Sequence, residues 1–214
     1  MGKSLVLLVG AASIASAQNS AAPHSGMSGM NHGDMAVAKS TMIMPGYGDG
    51  GFAITTKVPR AQAYFDNGMQ LAHAFAHKAS IKAMEEAVRL DPACSMCLWG
   101  VAWTSGPTIN FGKSSDELAQ LAEMANKAAE LADKAGTARA KALIKALQRR
   151  YKDGGGGKPG DRGFAKAMSV LAAQYPEDKE IAVIAADGWL QVHSDGPDDD
   201  VLNARMPWRC SKAY

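Results

Sequence analysis

Cys94 and Cys97 form a Cys94-Ser95-Met96-Cys97 pair at the predicted start of a helix. A helix N-terminus stabilises a thiolate, so the pair could hold a soft metal, exchange electrons, or close a local disulfide in an oxidising compartment. The disulfide, pinning the turn between two helical units, is the plainest of the three. A c-type haem would need histidine directly after the second cysteine, and that position is Leu98. A thioredoxin-like site would need a preceding strand in a βαβ setting, and the sequence offers neither.

A second set of donors lies near the N-terminus. His24, Met27, Met30, His32 and Met35, followed by Met42 and Met44, stand in a stretch rich in Gly, Ser and Ala and low in bulky hydrophobes. Thioether sulfur suits Cu(I) and imidazole suits either copper state, so a pliable tract of this kind could wrap a copper ion without a folded scaffold. The same residues can also accumulate in an unconstrained linker, and their spacing is irregular. His73 and His77 have the i, i+4 spacing of two ligands on one helical face, but a turn near Phe75 to His77 places them apart. About 17 residues of helix at about 1.5 Å each set His77 and Cys94 about 25 Å apart, too far to share a metal.

For catalysis the chain offers little. Gly154 to Gly157 before Lys158 has no preceding strand and no following Gly-Lys-Ser/Thr, and no nucleophile elbow or His-Glu-x-x-His helix occurs. Trp99 and Trp103, one turn apart, suit a core better than an exposed aromatic clamp. With 23 basic and 21 acidic residues the charge is nearly balanced, unlike a nucleic-acid binder with a concentrated basic face. Lys3, the apolar stretch Leu5 to Ala12, and Ala15-Ser16-Ala17 before Gln18 have the form of a secretory leader, too short to span a bilayer. The expected location is periplasmic or secreted, with no stable membrane anchor.

These groups need a scaffold, and the sequence predicts an all-α one. Tyr64, Gly68 and Leu71 share one face of a first helix; Ser80, Met84 and Ala87 share one face of a second, which Asp91 and Pro92 stop. Ala93 to Ser105 is an apolar helix broken by Gly106-Pro107. Ser114-Ser115-Asp116-Glu117 starts a helix running to Lys134, and Gly136 ends it. Thr137 to Tyr151 is predicted as a helix with Arg139, Lys141, Lys145, Arg149 and Arg150 on its outer face. Gly154 to Gly160, including Pro159, reads as a loop. Asp161 to Tyr175 and Glu177 to Val192 make a last pair joined at Pro176. The expected organisation is a leader over residues 1–17, a disordered Met/His/Gly-rich segment over 18–58, helices over 59–192 and an irregular tail over 193–214.

Residues 61–92 resemble the tetratricopeptide repeat family through Tyr64, Gly68, Ala87 and Pro92, with Ser80 where that family prefers alanine and Met84 where it prefers an aromatic. Ala63 to Leu190 further resembles a group of bacterial secreted tetratricopeptide proteins. The shared elements are Leu90-Asp91-Pro92, Cys94-Ser95-Met96-Cys97-Leu98-Trp99-Gly100 and Gly106-Pro107-Thr108-Ile109-Asn110. The tail after Gln191 departs from that pattern, as expected of a truncated or frame-altered product or, alternatively, of a natural short form. The resemblance implies a solenoid fragment of antiparallel helix hairpins that binds a protein or peptide in a groove, with Asn67, Gln70, Leu71, Leu98 and Ala102 as groove positions, and the lack of catalytic motifs leads to the expectation of no cofactor and no enzymatic activity. The Met/His tract resembles segments of periplasmic copper-handling proteins, which implies the alternative function, copper binding through His24, Met27, Met30, His32 and Met35.

Overall fold

Pro59 opens the first helix because its fixed φ suits the first helical turn and its missing N–H would be unpaired there in any case. The computed structural model describes residues 42–152 and 157–193. Among them run α1 (Pro59–His73), α2 (His77–Leu90), α3 (Ser95–Thr104), α4 (Ser115–Ala135), α5 (Ala138–Arg150), α6 (Gly157–Gln174) and α7 (Lys179–His193). The described residues contain no strand, only an isolated bridge between Thr108 and Phe111. The expected leader, the five N-terminal copper candidates and the tail from residue 194 lie outside the described residues.

Each helix packs on the next in chain order, and α1, α3 and α5 also touch in turn. One continuous core follows, from Tyr64 and Phe65 through Trp99, Leu143 and Leu147 to Phe164 and Ile181. Met84 of α2 sits where α1 and α3 approach. A Cβ on Gly68 would lie 2.8 Å from its sulfur, and one on Gly100 2.5 Å away, so a side chain at either position would displace Met84 from the joint. Ser80 is fully buried and donates to the Gly68 carbonyl at 2.7 Å, which accounts for a polar residue in this joint. Trp99 and Trp103 are buried and stacked, with ring centroids 5.5 Å apart.

Helix ends follow local chemistry. Ser114 and Glu117 form a reciprocal capping box on α4, and Thr137 caps α5 through Ala140 N. At the end of α1, Ala76 N bonds to Leu71 O at 2.9 Å and Phe75 N to Ala72 O at 3.0 Å. This is a Schellman closure, with Phe75 at φ 58° in the position glycine usually takes. The turn leaves His73 and His77 on different helices.

Three expectations need correction. Pro159 and Gly160 belong to the first turn of α6, not to a loop: proline is tolerated there, and the missing Cβ of Gly160 lets the helix pass the Arg150 carbonyl. Arg150 is not on an outer face but 2 % exposed, because it continues the apolar stripe of Leu143 and Leu147; Arg139 is also turned inward, onto Phe52. The segment expected to be disordered through residue 58 is, from Met42 onward, laid against the helices by specific hydrogen bonds. Its composition predicts disorder because the partners bind its main chain, which composition does not reveal.

Candidate functional site

The α1 sequence places Gln62, Asp66, Asn67, Gln70 and His73 along one side, at the offsets of neighbouring turns. This polar stripe is capped by the chain segment that precedes α1, here called the strap (residues 42–58). Asn67 is 2 % exposed beneath it. Its side-chain amide reads Met44 twice, accepting from Met44 N at 2.9 Å and donating to Met44 O at 2.8 Å. Gln62 does the same one step on, donating to Phe52 O and accepting from Ile54 N, each at 2.9 Å. Gln70 donates to Gly50 O at 3.0 Å. Two carboxamides thus offer paired donors and acceptors much as a neighbouring β-strand does, giving an irregular, non-helical segment main-chain partners on a helix.

Other elements complete the seat. From α7, Glu180 accepts from Gly51 N at 2.9 Å through one oxygen and bonds His73 Nε2 at 2.8 Å through the other. The Phe52 ring stands edge-on to Phe65 of α1 at 5.0 Å and tilted to Trp99 of α3 at 6.3 Å. The Arg139 guanidinium of α5 lies 3.8 Å over its face and is itself paired with Asp178 at 2.5 Å. Three helices therefore converge on one aromatic side chain of the strap, and a fourth, α7, holds the residue before it through Glu180. Thr56 ties the strap's far end to Asp91 at 2.5 Å.

Two carboxyl groups of the seat respond oppositely. Burial pushes Asp66 above its ordinary value, with Glu180 nearby adding to the rise, although hydrogen bonds from Gln62 and the Phe52 main chain pull it back. Burial works to raise Glu180 as well, but the hydrogen bonds from His73 and Gly51 N, with the charges of His73 and Arg139, hold it below its ordinary value. The Trp99 Nε1–H is buried and has no acceptor among the described residues.

Of the groove positions expected from sequence, Asn67 and Gln70 are brought together on the strap's main chain. Leu98 is half-buried against the core. Leu71 and Ala102 are inside the core and offer no surface, with Ala102 O accepting from Tyr151 Oη at 2.8 Å. Gln62, Asp66, Arg139 and Glu180 were missed. The stripe of Gln62, Asp66, Asn67, Gln70 and His73 was a readable signal, whereas Glu180, 129 residues from Gly51, was not.

Cys94 and Cys97 are joined in a disulfide, with Cα atoms 5.3 Å apart and Cys94 capping α3 by accepting from Cys97 N. No group of three or more His, Cys, Asp or Glu side chains among the described residues is placed to hold a metal. No helix among the described residues is long and apolar enough to cross a membrane. The chain matches no family model, curated protein or solved structure, so the arrangement of its own residues carries the functional argument.

Proposed function

We propose that the chain is a secreted or periplasmic interaction module, a tetratricopeptide-like solenoid fragment whose α1, α3 and α5 face receives an extended peptide segment. The observation that carries this reading is the seat itself: Gln62, Asn67 and Gln70 bind the main chain of a non-helical segment, and Phe65, Trp99 and Arg139 surround one aromatic anchor. Main-chain bonds would supply affinity and the anchor specificity, the division of labour in extended-peptide recognition. The hairpin order of the helices and the alternating contacts of α1, α3 and α5 support the solenoid reading. The Cys94–Cys97 disulfide and the leader-like N-terminus support an oxidising compartment.

The test is a displayed library of random extended peptides selected on the full chain, followed by amide chemical-shift mapping. Enriched peptides should move resonances of Gln62, Asn67, Gln70 and Trp99. Selection of nothing, or binding mapped to another face, would remove the reading.

The Met/His tract supports copper binding as a second reading. Cu(I) titrated into the full chain and into a variant with His24, Met27, Met30, His32 and Met35 replaced by serine separates the two. Tight uptake lost in the variant supports it; equal, weak uptake by both refutes it.

A further inference from the structure

The strap is held as a ligand would be held. Its contacts to the helices are mainly main-chain bonds, and apart from Phe52, Ile54 and Val58 it buries little: Met42 is 82 % exposed, and Ile43, Met44 and Tyr47 are also exposed. Its connection through Gly46, Gly48 and Gly51, all at positive φ, is the backbone of a tether and not of a core element. The seat is nevertheless selective. Gly51 has φ 116°, and a Cβ there would lie 2.8 Å from Asp66 Cγ and 2.9 Å from Asp66 Cα, overlapping backbone that cannot move aside. A Cβ on Gly50 would lie 3.2 Å from Glu180 Oε1, tighter than an ordinary contact. The next residue must fill the space between Phe65, Trp99 and the Arg139 guanidinium, which suits an aromatic ring. Two positions later, Ile54 gives its N–H to Gln62 and its side chain to the core.

We infer that the seat is a recognition site for a non-helical Gly-Gly-aromatic-x-aliphatic segment of a partner protein, and that residues 44–54 are its built-in competitor. The inference rests on the interaction reading above and adds to it the sequence that is read and the device that regulates access. A tethered occupant sits at an effective concentration of about millimolar, so a free segment of the same kind must outcompete it or arrive when the strap is lifted. The chain between Ile54 and Pro59 is the hinge on which residues 44–54 would swing away while α1 stays in place, once the Thr56–Asp91 bond opens.

The experiment uses the full chain and a fluorescent peptide, Gly-Asp-Gly-Gly-Phe-Ala-Ile-Thr, copying residues 48–55. Anisotropy should show Phe52→Ala binding this peptide about tenfold or more tighter than the unaltered chain, because the competitor has lost its anchor. A peptide with alanine in place of the second glycine of the Gly-Gly pair should lose that binding, and adding Gln62→Ala to Phe52→Ala should do the same. Equal binding by both chains, no binding by a Phe52→Ala chain with native circular dichroism, or indifference to the alanine would overturn the inference. A second measurement avoids the variant: excess peptide added to the unaltered chain should speed hydrogen exchange at the Gly51 and Ile54 amides. Unchanged exchange at millimolar peptide overturns it, as does strap exchange between two copies of the chain in preference to peptide binding. If the displayed library yields groove-binding peptides while this one fails, the Gly-Gly-aromatic rule falls and the interaction reading stands; if both fail, both fall.

Discussion

At the residue scale, Arg150 and Phe75 show how sequence type and structural role can part. Arg150 is 2 % exposed, bonded through Nε to Asp161 Oδ1 at 2.7 Å, through Nη2 to Pro107 O at 2.9 Å and to Gln191 Oε1. One guanidinium therefore joins the α3–α4 connection to α6 and α7. Arg150→Met leaves Asp161 buried and uncompensated, and should cost about 3–5 kcal/mol in urea denaturation. A loss under about 1 kcal/mol would show that the pair carries little. Phe75 is the reverse case: 69 % exposed, it occupies a left-handed position that costs a non-glycine residue about 1–2 kcal/mol. Phe75→Gly should therefore stabilise the chain by about 1 kcal/mol, offset in part by the added freedom of glycine in the unfolded state. A lowered midpoint would mean that the ring has a packing role its exposure hides. Neither role was legible: Arg150 sits in a basic run that suggests solvent, and nothing in its type announces Asp161 or Pro107.

At the element scale, the legible features are those written in neighbouring residues. Ser114 and Glu117, Gly136, Pro176 and the Asp91-Pro92 stop all mark helix ends within a residue or two of where they occur. The capping box gives a pH prediction. Bonds from the Ser114 main chain, the Lys113 ammonium and the Ser114 hydroxyl hold Glu117 down at about 2. A carboxylate depressed in the folded state contributes stability above its unfolded value of 4.5, and that contribution disappears as pH falls from there through about 2. Ser114→Ala should cost about 1 kcal/mol at neutral pH and flatten the stability change across that acid range. An unchanged acid profile would show that the box contributes nothing there. The disulfide at the start of α3 spans residues three apart in sequence, so Cys94→Ser with Cys97→Ser should cost about 2 kcal/mol and keep the helical circular dichroism signal. Pro159 and Gly160 misled because both break helix interiors, whereas a first turn tolerates proline and a close crossing requires glycine.

At the scale of the whole molecule, the strap links the beginning of the helical array to its end. Residues 44–54 bind α1 through carboxamides, α3 and α5 through Phe52, and α7 through Glu180. Of this, only the polar stripe on α1, with Asn67 and Gln70, is legible in the sequence; what it holds is not, because bonds to main-chain atoms leave no residue-type signature and Glu180 stands 129 positions from the amide it receives. The all-α architecture was legible, since periodic apolar faces and stop signals are local. Glu180 is depressed in the folded state, so its support for the strap is complete above the ordinary carboxylate range and is lost as pH falls through its lowered value. Asp66 acts oppositely: raised by burial, it gains from protonation as pH falls, which relieves the seat of a buried charge. Glu180→Gln should thus weaken protection of the Gly51 amide at neutral pH and remove its acid dependence.

The central claim is that side chains of a helical face hold a non-helical segment by its main chain, and amide hydrogen exchange at Met44, Gly51 and Ile54 tests it most directly. The account predicts that all three amides exchange about tenfold or more slowly than in an unstructured chain, with Met44 released by Asn67→Ala and Ile54 by Gln62→Ala. Exchange of all three at unstructured rates in the unaltered chain would contradict it.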